Sequence, residues 1–219
     1  MEMSKVKLEQ SAYSLNDEIA YKNKIFFKEL GLTVFNMISS PGSGKTTILE
    51  SLAKLIGDKL FVITGDIQTQ LDKDRIERAG AKAYQLETHG SCHLSAKMIS
   101  DTLKKISLYK TEYLIIENVG NLVCPSSFYL GEDEKIAVLS VTEGDEKPIK
   151  YPGLFIRASL VIISKIDLLP YVKFDLNRAE SDIKKLKSDA EIIKTSYLNN
   201  DGINLIFDYM KKIKNKKFS

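Results

Sequence analysis

The stretch S-S-P-G-S-G-K-T-T, at residues 39–47, constrains the fold of this chain more than any other feature. It follows directly after the apolar run 33–38 and precedes a helical apolar pattern. A strand that delivers a loop of small residues to a helix N-terminus presents backbone N–H groups and the positive end of the helix dipole to an anion. The pattern therefore predicts a cradle for nucleotide phosphates, with a helix beginning near Gly44.

The side chains of this loop suit a nucleoside triphosphate. Lys45 is expected to reach the β- and γ-phosphates, and the Thr46 hydroxyl is expected to hold Mg²⁺. The usual pattern is G-x-x-x-x-G-K-S/T, and Ser39 replaces its first glycine. Because the later part of the loop carries the groups that touch phosphate, the prediction stands despite this departure. The predicted nucleotide-binding residues of the loop are Gly42, Ser43, Gly44, Lys45, Thr46 and Thr47.

The composition is that of an ordinary globular chain. Of its 219 residues, 43% are hydrophobic and 28% are charged, which indicates neither disorder nor a membrane span. No apolar run approaches the roughly 20 residues that cross a bilayer, and residues 1–10 lack a signal-peptide core, so we expect a cytoplasmic protein. A net charge of +3 is too small to indicate a nucleic-acid partner. We interpret the lysines in the tail 211–217 as the solvated end of a helix rather than a binding arm.

Short runs rich in Ile and Val alternate with helical patterns over most of the chain. The runs lie at 60–64, 81–86, 113–117, 135–142, 160–164 and 190–195. This alternation predicts βαβ units and the α/β fold of a P-loop NTPase, a mainly parallel sheet with helices on both faces. Asn16 is predicted to cap a helix that continues to about Leu30 and stops at Gly31. We therefore expect an N-terminal helical extension over 1–31 and one P-loop domain over 32–219.

Two carboxylates follow predicted strands. Glu117 closes the run 113–117 and begins E-N-V-G-N, the layout of a Walker B strand and its switch, in which Gly120 lets the backbone approach a γ-phosphate. Asp66 follows the run 60–64 and can orient the attacking water or a Mg²⁺-bound one. The predicted catalytic residues are Lys45, Asp66 and Glu117, and the predicted magnesium ligands are Thr46, Asp66 and Glu117. Asp72 is either functional or a charge at a helix N-terminus.

The sequence Ser164-Lys165-Ile166-Asp167 resembles the guanine-reading N-K-x-D motif of GTPases. Asp167 would accept hydrogen bonds from guanine N1 and N2, which adenine does not offer, and the stem of Lys165 would cover the base. These two residues favour GTP over ATP. Ser164 replaces the usual Asn and lacks the amide that braces the site, so we expect weaker guanine affinity or specificity.

Both cysteines and one of the two histidines fall near the predicted nucleotide site. Cys92 and His93 are adjacent at the start of a predicted helix, and Cys124 lies a few residues past Gly120. Thiolate and imidazole ligands suit Zn²⁺ or Ni²⁺, although burial or redox chemistry also accounts for isolated cysteines. One chain offers too few ligands to close a site, whereas two copies across a two-fold axis would supply enough. His89 is either a further ligand or an exposed loop residue.

Several segments together resemble the HypB family, the nickel-incorporation GTPases of NiFe-hydrogenase maturation. They are G-D at 65–66, G-A-K at 80–82, C-H-L at 92–94, E-N-V-G-N at 117–121 with C-P at 124–125, T-E-G-D at 142–145 and K-I-D-L at 165–168. The resemblance implies a GTP-hydrolysing metallochaperone that forms a homodimer when nucleotide-bound and carries Ni²⁺ or Zn²⁺ at the interface. It also implies a second nickel-delivery protein and a hydrogenase large subunit as partners. The metal ligands it implies are Cys92, His93 and Cys124.

Three other functions stay open at this point. A nucleotide-gated nickel or zinc scaffold needs no catalysis, and no catalytic Gln or arginine finger is evident in the sequence. A urease-type nickel GTPase would share the nucleotide site, but such a relative would carry a Cys-Pro-His metal motif. A small-molecule kinase would use the same P-loop, although the sequence identifies no acceptor pocket.

Overall fold

The computed structural model describes residues 2–65, 70–88, 90–199 and 201–219. Seven strands of this described part form one sheet in which all neighbours are parallel. They are β1 (Thr33–Ser39), β2 (Leu60–Thr64), β3 (Lys82–Gln85), β4 (Tyr113–Glu117), β5 (Glu134–Ser140), β6 (Ala158–Ser164) and β7 (Glu191–Thr195). Their order across the sheet is β3-β2-β4-β1-β5-β6-β7.

The helices connect the strands and cover the sheet. They are α1 (Glu2–Glu29), α2 (Lys45–Ile56), α3 (Gln70–Arg78), α4 (Ala96–Leu103), α5 (Cys124–Ser127), α6 (Lys147–Lys150), α7 (Pro152–Phe155), α8 (Leu176–Leu186) and α9 (Ile203–Phe218). Two 3₁₀ helices span Gly57–Lys59 and Ile166–Tyr171. Within the described residues, no helix is both long enough and apolar enough to cross a membrane.

Burial of both sheet faces explains why the strands read as continuous apolar runs. Successive side chains of a strand point to opposite faces. Phe35 of β1 therefore packs in the cluster that holds Leu49 of α2 and Ile206 of α9, whereas Val34 packs with Phe27 of α1 on the other face. The predicted fold, a mainly parallel sheet with helices on both faces, is confirmed.

The strand order places the predicted site at a topological switch point. β1 lies at the centre of the sheet. Going outward from it, β4, β2 and β3 lie on one side and β5, β6 and β7 lie on the other. Ligands of such sheets bind outside the carboxyl ends of the strands where the order reverses. The register pairs Met37 with Glu117 and pairs Ser164 with Ser140 and Thr195, so the loops after β1, β4, β6 and β7 meet at one edge.

The N-terminal helix differs from its prediction at its start. Asn16 lies inside α1 instead of capping it, because the helix begins at Glu2. The Asn16 side chain is buried and bonds to the backbone of two distant segments instead of its own helix end. The predicted end is close to the observed one, since α1 stops at Glu29 and Gly31 adopts a left-handed φ of 70°.

The tail lysines of α9 form ion pairs at the amino ends of the strands, away from the P-loop. Lys217 donates to the Leu32 carbonyl at 2.7 Å and to the Asp133 carboxylate at 2.8 Å. Lys214 pairs with Glu112, which precedes β4. These contacts attach the end of α9 to the sheet, so the tail is neither a free binding arm nor fully solvated.

Candidate functional site

The phosphate cradle lies between the end of β1 and the start of α2. Gly42 and Gly44 have φ of 72° and 96°, a left-handed conformation that glycine adopts without strain. α2 begins at Lys45, so the free N–H groups of its first turn face the loop. A cavity of about 300 Å³ opens here and is lined by the six predicted loop residues together with Asp72, Arg75, Glu117 and Lys165.

Ser39, which stands where the P-loop pattern has its first glycine, contacts the loop lysine. Its hydroxyl accepts hydrogen bonds from Lys45 Nζ at 2.8 Å and from the Ser43 hydroxyl at 2.6 Å. It donates to the Ser40 carbonyl at 2.7 Å. All three side chains of this group are buried. The Ser39 hydroxyl thus accepts hydrogen bonds from both the ammonium group of Lys45 and the hydroxyl of Ser43.

Glu117 at the end of β4 and Thr46 in the first turn of α2 fit a magnesium ion. The Thr46 hydroxyl lies 3.4 Å from Glu117 Oε1, and the Glu117 side chain is almost completely buried. A hydroxyl beside a carboxylate offers the oxygen ligands that Mg²⁺ takes next to phosphates. Asp66, the third predicted magnesium ligand and a predicted catalytic residue, lies outside the described residues, so its role stays a prediction.

Arg75, which the sequence reading did not single out, joins the lining of the phosphate cavity. Its guanidinium pairs with Glu50 of α2 at 2.8 Å and with Asp72 at 3.6 Å. Asp72 itself lies in the first turn of α3 and also faces the cavity. The position of Asp72 in the first turn agrees with a helix N-terminal charge, and its functional role stays a prediction. The sequence feature that could have indicated Arg75 was an Asp three positions before an Arg in a predicted helix, a spacing at which the two side chains can pair.

The predicted guanine-binding residues line a neighbouring cavity of about 310 Å³. Lys165 adopts a left-handed φ of 61° and donates to the Gly42 carbonyl at 2.7 Å, which lays its stem along the cavity. Asp167 lines the same cavity, and its Oδ1 is buried without a hydrogen-bond partner among the described residues. A carboxylate that lines this cavity and has an unused acceptor fits the N1 and N2 donors of guanine.

Ser164 connects the end of β6 to the P-loop through its hydroxyl. The hydroxyl donates to the Ser43 carbonyl at 2.6 Å, and both residues are buried. The amide of the usual Asn is absent, but a shorter group contacts the P-loop from this position, and the weaker guanine affinity or specificity stays a prediction. The sequence reading also missed the end of β7 and the loop after it, whose Thr195, Ser196 and Tyr197 line the cavity. The only sequence feature that could have indicated these residues was their position at the end of a strand late in the chain.

The segment after β4 connects the phosphate cavity with the cysteines. A Cβ atom at Gly120 would lie 2.9 Å from Pro41 Cγ and 3.1 Å from Pro41 N, so only glycine fits against the P-loop here. A cavity of about 430 Å³ adjoins this contact, and its lining includes Pro41, Gly120 and Cys92. A displacement of Gly120 therefore alters a space that the P-loop and Cys92 share.

Cys92, His93 and Cys124 come together as the resemblance implied. Their ligand atoms all lie within 4.8 Å of one another. Cys92 and His93 precede α4, which begins at Ala96 and not at Cys92 as predicted, because Ser95 caps it by accepting from Met98 N. Cys124 begins α5. His89 lies outside the described residues.

The surroundings of the cluster hold the His93 ring in place and favour its neutral form. The His93 ring stacks on Phe128 with centroids 3.8 Å apart and an interplanar angle of 18°. Burial lowers the pKa of His93, so the neutral form that ligates metals is favoured. A hydrogen bond with Cys124, followed by burial, raises the pKa of the Cys92 thiol. Binding of a metal by Cys92 must therefore release a proton.

A buried chain of polar side chains lies beneath this cluster. Asn118 Oδ1 accepts from Leu94 N at 3.1 Å and from Val119 N at 3.0 Å, and Asn118 Nδ2 donates to Asn36 Oδ1 at 3.2 Å. Asn36 then donates to Glu132, which accepts from Leu130 N at 2.7 Å. The chain of bonds joins the residue after Glu117 to the residue after His93.

Comparison with known proteins agrees with these features. Residues 33–194 match the family described as CobW/HypB/UreG, nucleotide-binding domain. The chain belongs to this family. The hydrogenase maturation factor HypB of Azotobacter vinelandii is 42% identical over 200 residues, which cover 90% of this chain and 66% of that protein. The hydrogenase/urease maturation factor HypB of Helicobacter pylori strain 26695 is 47% identical over 195 residues, covering 87% of this chain and 81% of that protein.

Solved structures place the chain in the HypB group of the family. A crystal structure of Helicobacter pylori HypB in complex with nickel superposes with a TM-score of 0.87 at 43% identity, covering 93% of this chain and 97% of that one. The resemblance to HypB inferred from the motifs is therefore confirmed. The chain spans slightly less than two thirds of the Azotobacter protein, at 66% of its length.

Proposed function

We propose that this chain is a GTP-hydrolysing metallochaperone that delivers nickel during the maturation of NiFe-hydrogenase. The observation that carries the proposal is the cluster of Cys92, His93 and Cys124, whose ligand atoms lie within 4.8 Å of one another beside the P-loop. Two thiols and an imidazole are donors that Ni²⁺ and Zn²⁺ accept. The relatives named as hydrogenase maturation factors, and the HypB structure that contains nickel, support nickel as the cargo.

The nucleotide chemistry follows from the residues of the two adjoining cavities. Asp167 and Lys165 select guanine, and Ser164 holds the guanine loop against the P-loop. Lys45 leaves Ser39 to meet the β- and γ-phosphates, to which the loop N–H groups also donate. Thr46 and Glu117 would hold Mg²⁺, which when bound offsets the negative charge of the phosphates. Asp66 or a nearby carboxylate orients the water that attacks the γ-phosphate.

A homodimer completes the metal site in this proposal. One chain supplies three ligand atoms, and Cys92 is exposed, so a second copy can approach it. Two chains related by a two-fold axis would surround a metal with six donors, more than the four that zinc takes. Gly120 lies against Pro41 of the P-loop, and Cys124 follows it soon after in the chain. A nucleotide that moves the P-loop would therefore also move a metal ligand, which is how nucleotide favours the dimer in this proposal.

The assembly around this dimer rests on family membership. We infer a cytoplasmic location, a second nickel-delivery protein as donor or acceptor, and a hydrogenase large subunit as client. The Helicobacter pylori relative is named as a maturation factor for hydrogenase and urease, which makes urease a second client to test. Residues 1–31 form an N-terminal extension and residues 32–219 the GTPase domain in this proposal.

A nucleotide-gated metal scaffold without functional hydrolysis is the second candidate. One observation favours it: Arg75, the arginine in the described lining of the phosphate cavity, is paired with Glu50 and Asp72. The two candidates differ in their need for hydrolysis. If nickel transfer to an acceptor chelator proceeds unchanged with a non-hydrolysable GTP analogue, the chain is a scaffold.

Solution mass and nickel binding test the main proposal together. We expect the wild-type chain to become a dimer in light scattering when a non-hydrolysable GTP analogue and Ni²⁺ are both present. The Cys92→Ala/Cys124→Ala variant should lose nickel binding and keep nucleotide binding. Ser91→Ala, at the exposed residue before Cys92, is the matched control and should behave as wild type. Equal nickel binding by the wild type and the double variant would overturn the assignment.

A further inference from the structure

We infer that the N-terminal helix α1 sets the geometry of the metal cluster through two positioning residues, Asn16 and Asn23. The inference rests on the proposed function, since it concerns the same cluster. Neither asparagine contacts the nucleotide cavities, and both lie within the N-terminal extension. Their side chains are buried, with 7% and 3% of their surface exposed.

Each asparagine joins the two segments that carry the metal ligands. Asn16 Oδ1 accepts from Ala96 N at 2.9 Å, and Asn16 Nδ2 donates to the Tyr129 carbonyl at 2.8 Å. Asn23 Nδ2 donates to the Ala96 carbonyl at 2.9 Å and to the Leu130 carbonyl at 3.1 Å. Ala96 follows Cys92 and His93, whereas Tyr129 and Leu130 follow Cys124. The four bonds therefore hold one ligand-bearing segment at a fixed distance from the other.

The spacing of the asparagines matches this role. They are two helical turns apart, which places both on one face of α1, and the fully buried Ala20 lies between them. A Cβ atom at Gly131 would lie 2.7 Å from the Ala20 carbonyl oxygen and 2.9 Å from Asn23 Cβ. The close approach that glycine permits lets α1 reach the backbone of the segment after Cys124.

The ligands themselves lie a short distance from these anchors. Phe128, which stacks on the His93 ring, is the residue before Tyr129. Leu94, the residue after His93, is fully buried in the cluster that also contains Phe27 of α1 and Leu130. Removal of a group that orients a metal ligand commonly lowers the metal affinity about 10- to 100-fold. Displacement of either segment would separate Cys124 from Cys92 and His93.

Nickel affinity is the first test. We expect Asn23→Ala to weaken Ni²⁺ binding about tenfold or more in a chelator competition. We also expect a changed thiolate-to-nickel charge-transfer band, with the affinity for a GTP analogue unaltered. Asn16→Ala removes both the acceptor for Ala96 N and the donor to the Tyr129 carbonyl, and we expect it to weaken nickel binding to a similar extent. Ile183→Val, which trims a fully buried side chain in α8 on another cluster, is the control for lost stability alone.

A metal-free measurement separates this inference from the proposed function. Cys92 and Cys124 are the two cysteines of the chain, so diamide can oxidise their neighbouring thiols to one intramolecular disulfide while the diamide is reduced to a hydrazine. We expect both asparagine variants to form this disulfide more slowly than wild type and Ile183→Val. Rates equal to wild type in both variants would overturn the inference. Failure of wild type to bind nickel, with slowed oxidation in the variants, would instead overturn only the metal assignment.

Discussion

The Ser164 hydroxyl donates a hydrogen bond of 2.6 Å to the Ser43 carbonyl, which joins the guanine loop to the phosphate loop. The two residues are 121 positions apart in the chain and both are buried. A lost bond would leave the Ser43 carbonyl buried without this partner, and such a loss costs about 1 to 3 kcal/mol. Serine therefore connects the two halves of the nucleotide site from the position at which the N-K-x-D motif has asparagine.

Removal of this hydroxyl is expected to weaken nucleotide binding. Ser164→Ala should raise the Kd for a fluorescent GDP analogue about tenfold, the effect of about 1.4 kcal/mol. Fluorescence titration measures the change. Ser181→Ala, at an exposed position of α8, is the matched control and should bind as wild type. An unchanged Kd in Ser164→Ala would show that the brace does not act on the bound nucleotide.

Asp167→Asn is expected to change which base the chain prefers. Asp167 lines the base cavity and has an acceptor, Oδ1, without a partner among the described residues, whereas an amide would present donors to the donors of guanine. Affinity for GTP should fall about 100-fold, because charge-assisted hydrogen bonds contribute about 1.5 to 3 kcal/mol each. Xanthosine triphosphate, whose base carries a carbonyl at C2, should bind more tightly than to wild type. Equal loss for both nucleotides would argue against base reading by Asp167.

Ser39→Ala is expected to tighten nucleotide binding. The Ser39 hydroxyl accepts a hydrogen bond from Lys45 Nζ, and phosphate oxygens would compete with it for the lysine. Without the hydroxyl the free state loses a hydrogen bond of about 1 kcal/mol, so affinity for a GTP analogue should rise about fivefold. Thermal stability without nucleotide should fall. Weaker binding would mean that Ser39 instead positions Lys45 for the phosphates, and Ser40→Ala next to it controls for loop effects.

The sequence predicted the elements whose signal is local. The bounds of β2 and β4 match the predicted runs 60–64 and 113–117, because strands buried on both faces read as unbroken apolar stretches. The start of α1 was missed for the opposite reason. Asn16 carries a capping side chain, but its partners Ala96 and Tyr129 lie far along the chain, and no local rule reveals them.

The candidate site divides in the same way. The P-loop and the K-I-D segment carry their function in contiguous residues, so their place at the strand ends could be predicted from sequence. The brace from Ser164, the contact between Ser39 and Lys45, and the role of Tyr197 depend on which loops meet after folding. The whole of α4 and β4 lies between Cys92 and Cys124, and resemblance to a family, rather than spacing, predicted that they share a metal site.

Glu112→Gln is expected to make the stability of the chain less dependent on pH. Hydrogen bonds from Lys214 and Lys59 hold the pKa of Glu112 below its usual 4.5. A lowered folded-state pKa stabilises the fold above the unfolded-state value, and this contribution is lost as the pH falls through the folded-state value. The variant should lose about 1 kcal/mol or less at neutral pH and nothing in strong acid. Urea unfolding over a pH series measures this, with Glu29→Gln at an exposed position of α1 as control.

Asn118→Ala is expected to uncouple nickel from nucleotide while both still bind. Asn118 follows Glu117, and its side chain accepts from Leu94 N, next to His93, and donates to Asn36 in β1. If this side chain transmits nucleotide binding, a GTP analogue should change the Ni²⁺ affinity of wild type by a factor of about 5 to 150, the usual range of allosteric coupling. The ratio of the Ni²⁺ affinities with and without the GTP analogue should approach one in the variant. A full ratio in Asn118→Ala would place the coupling elsewhere, for example in the contact of Gly120 with Pro41.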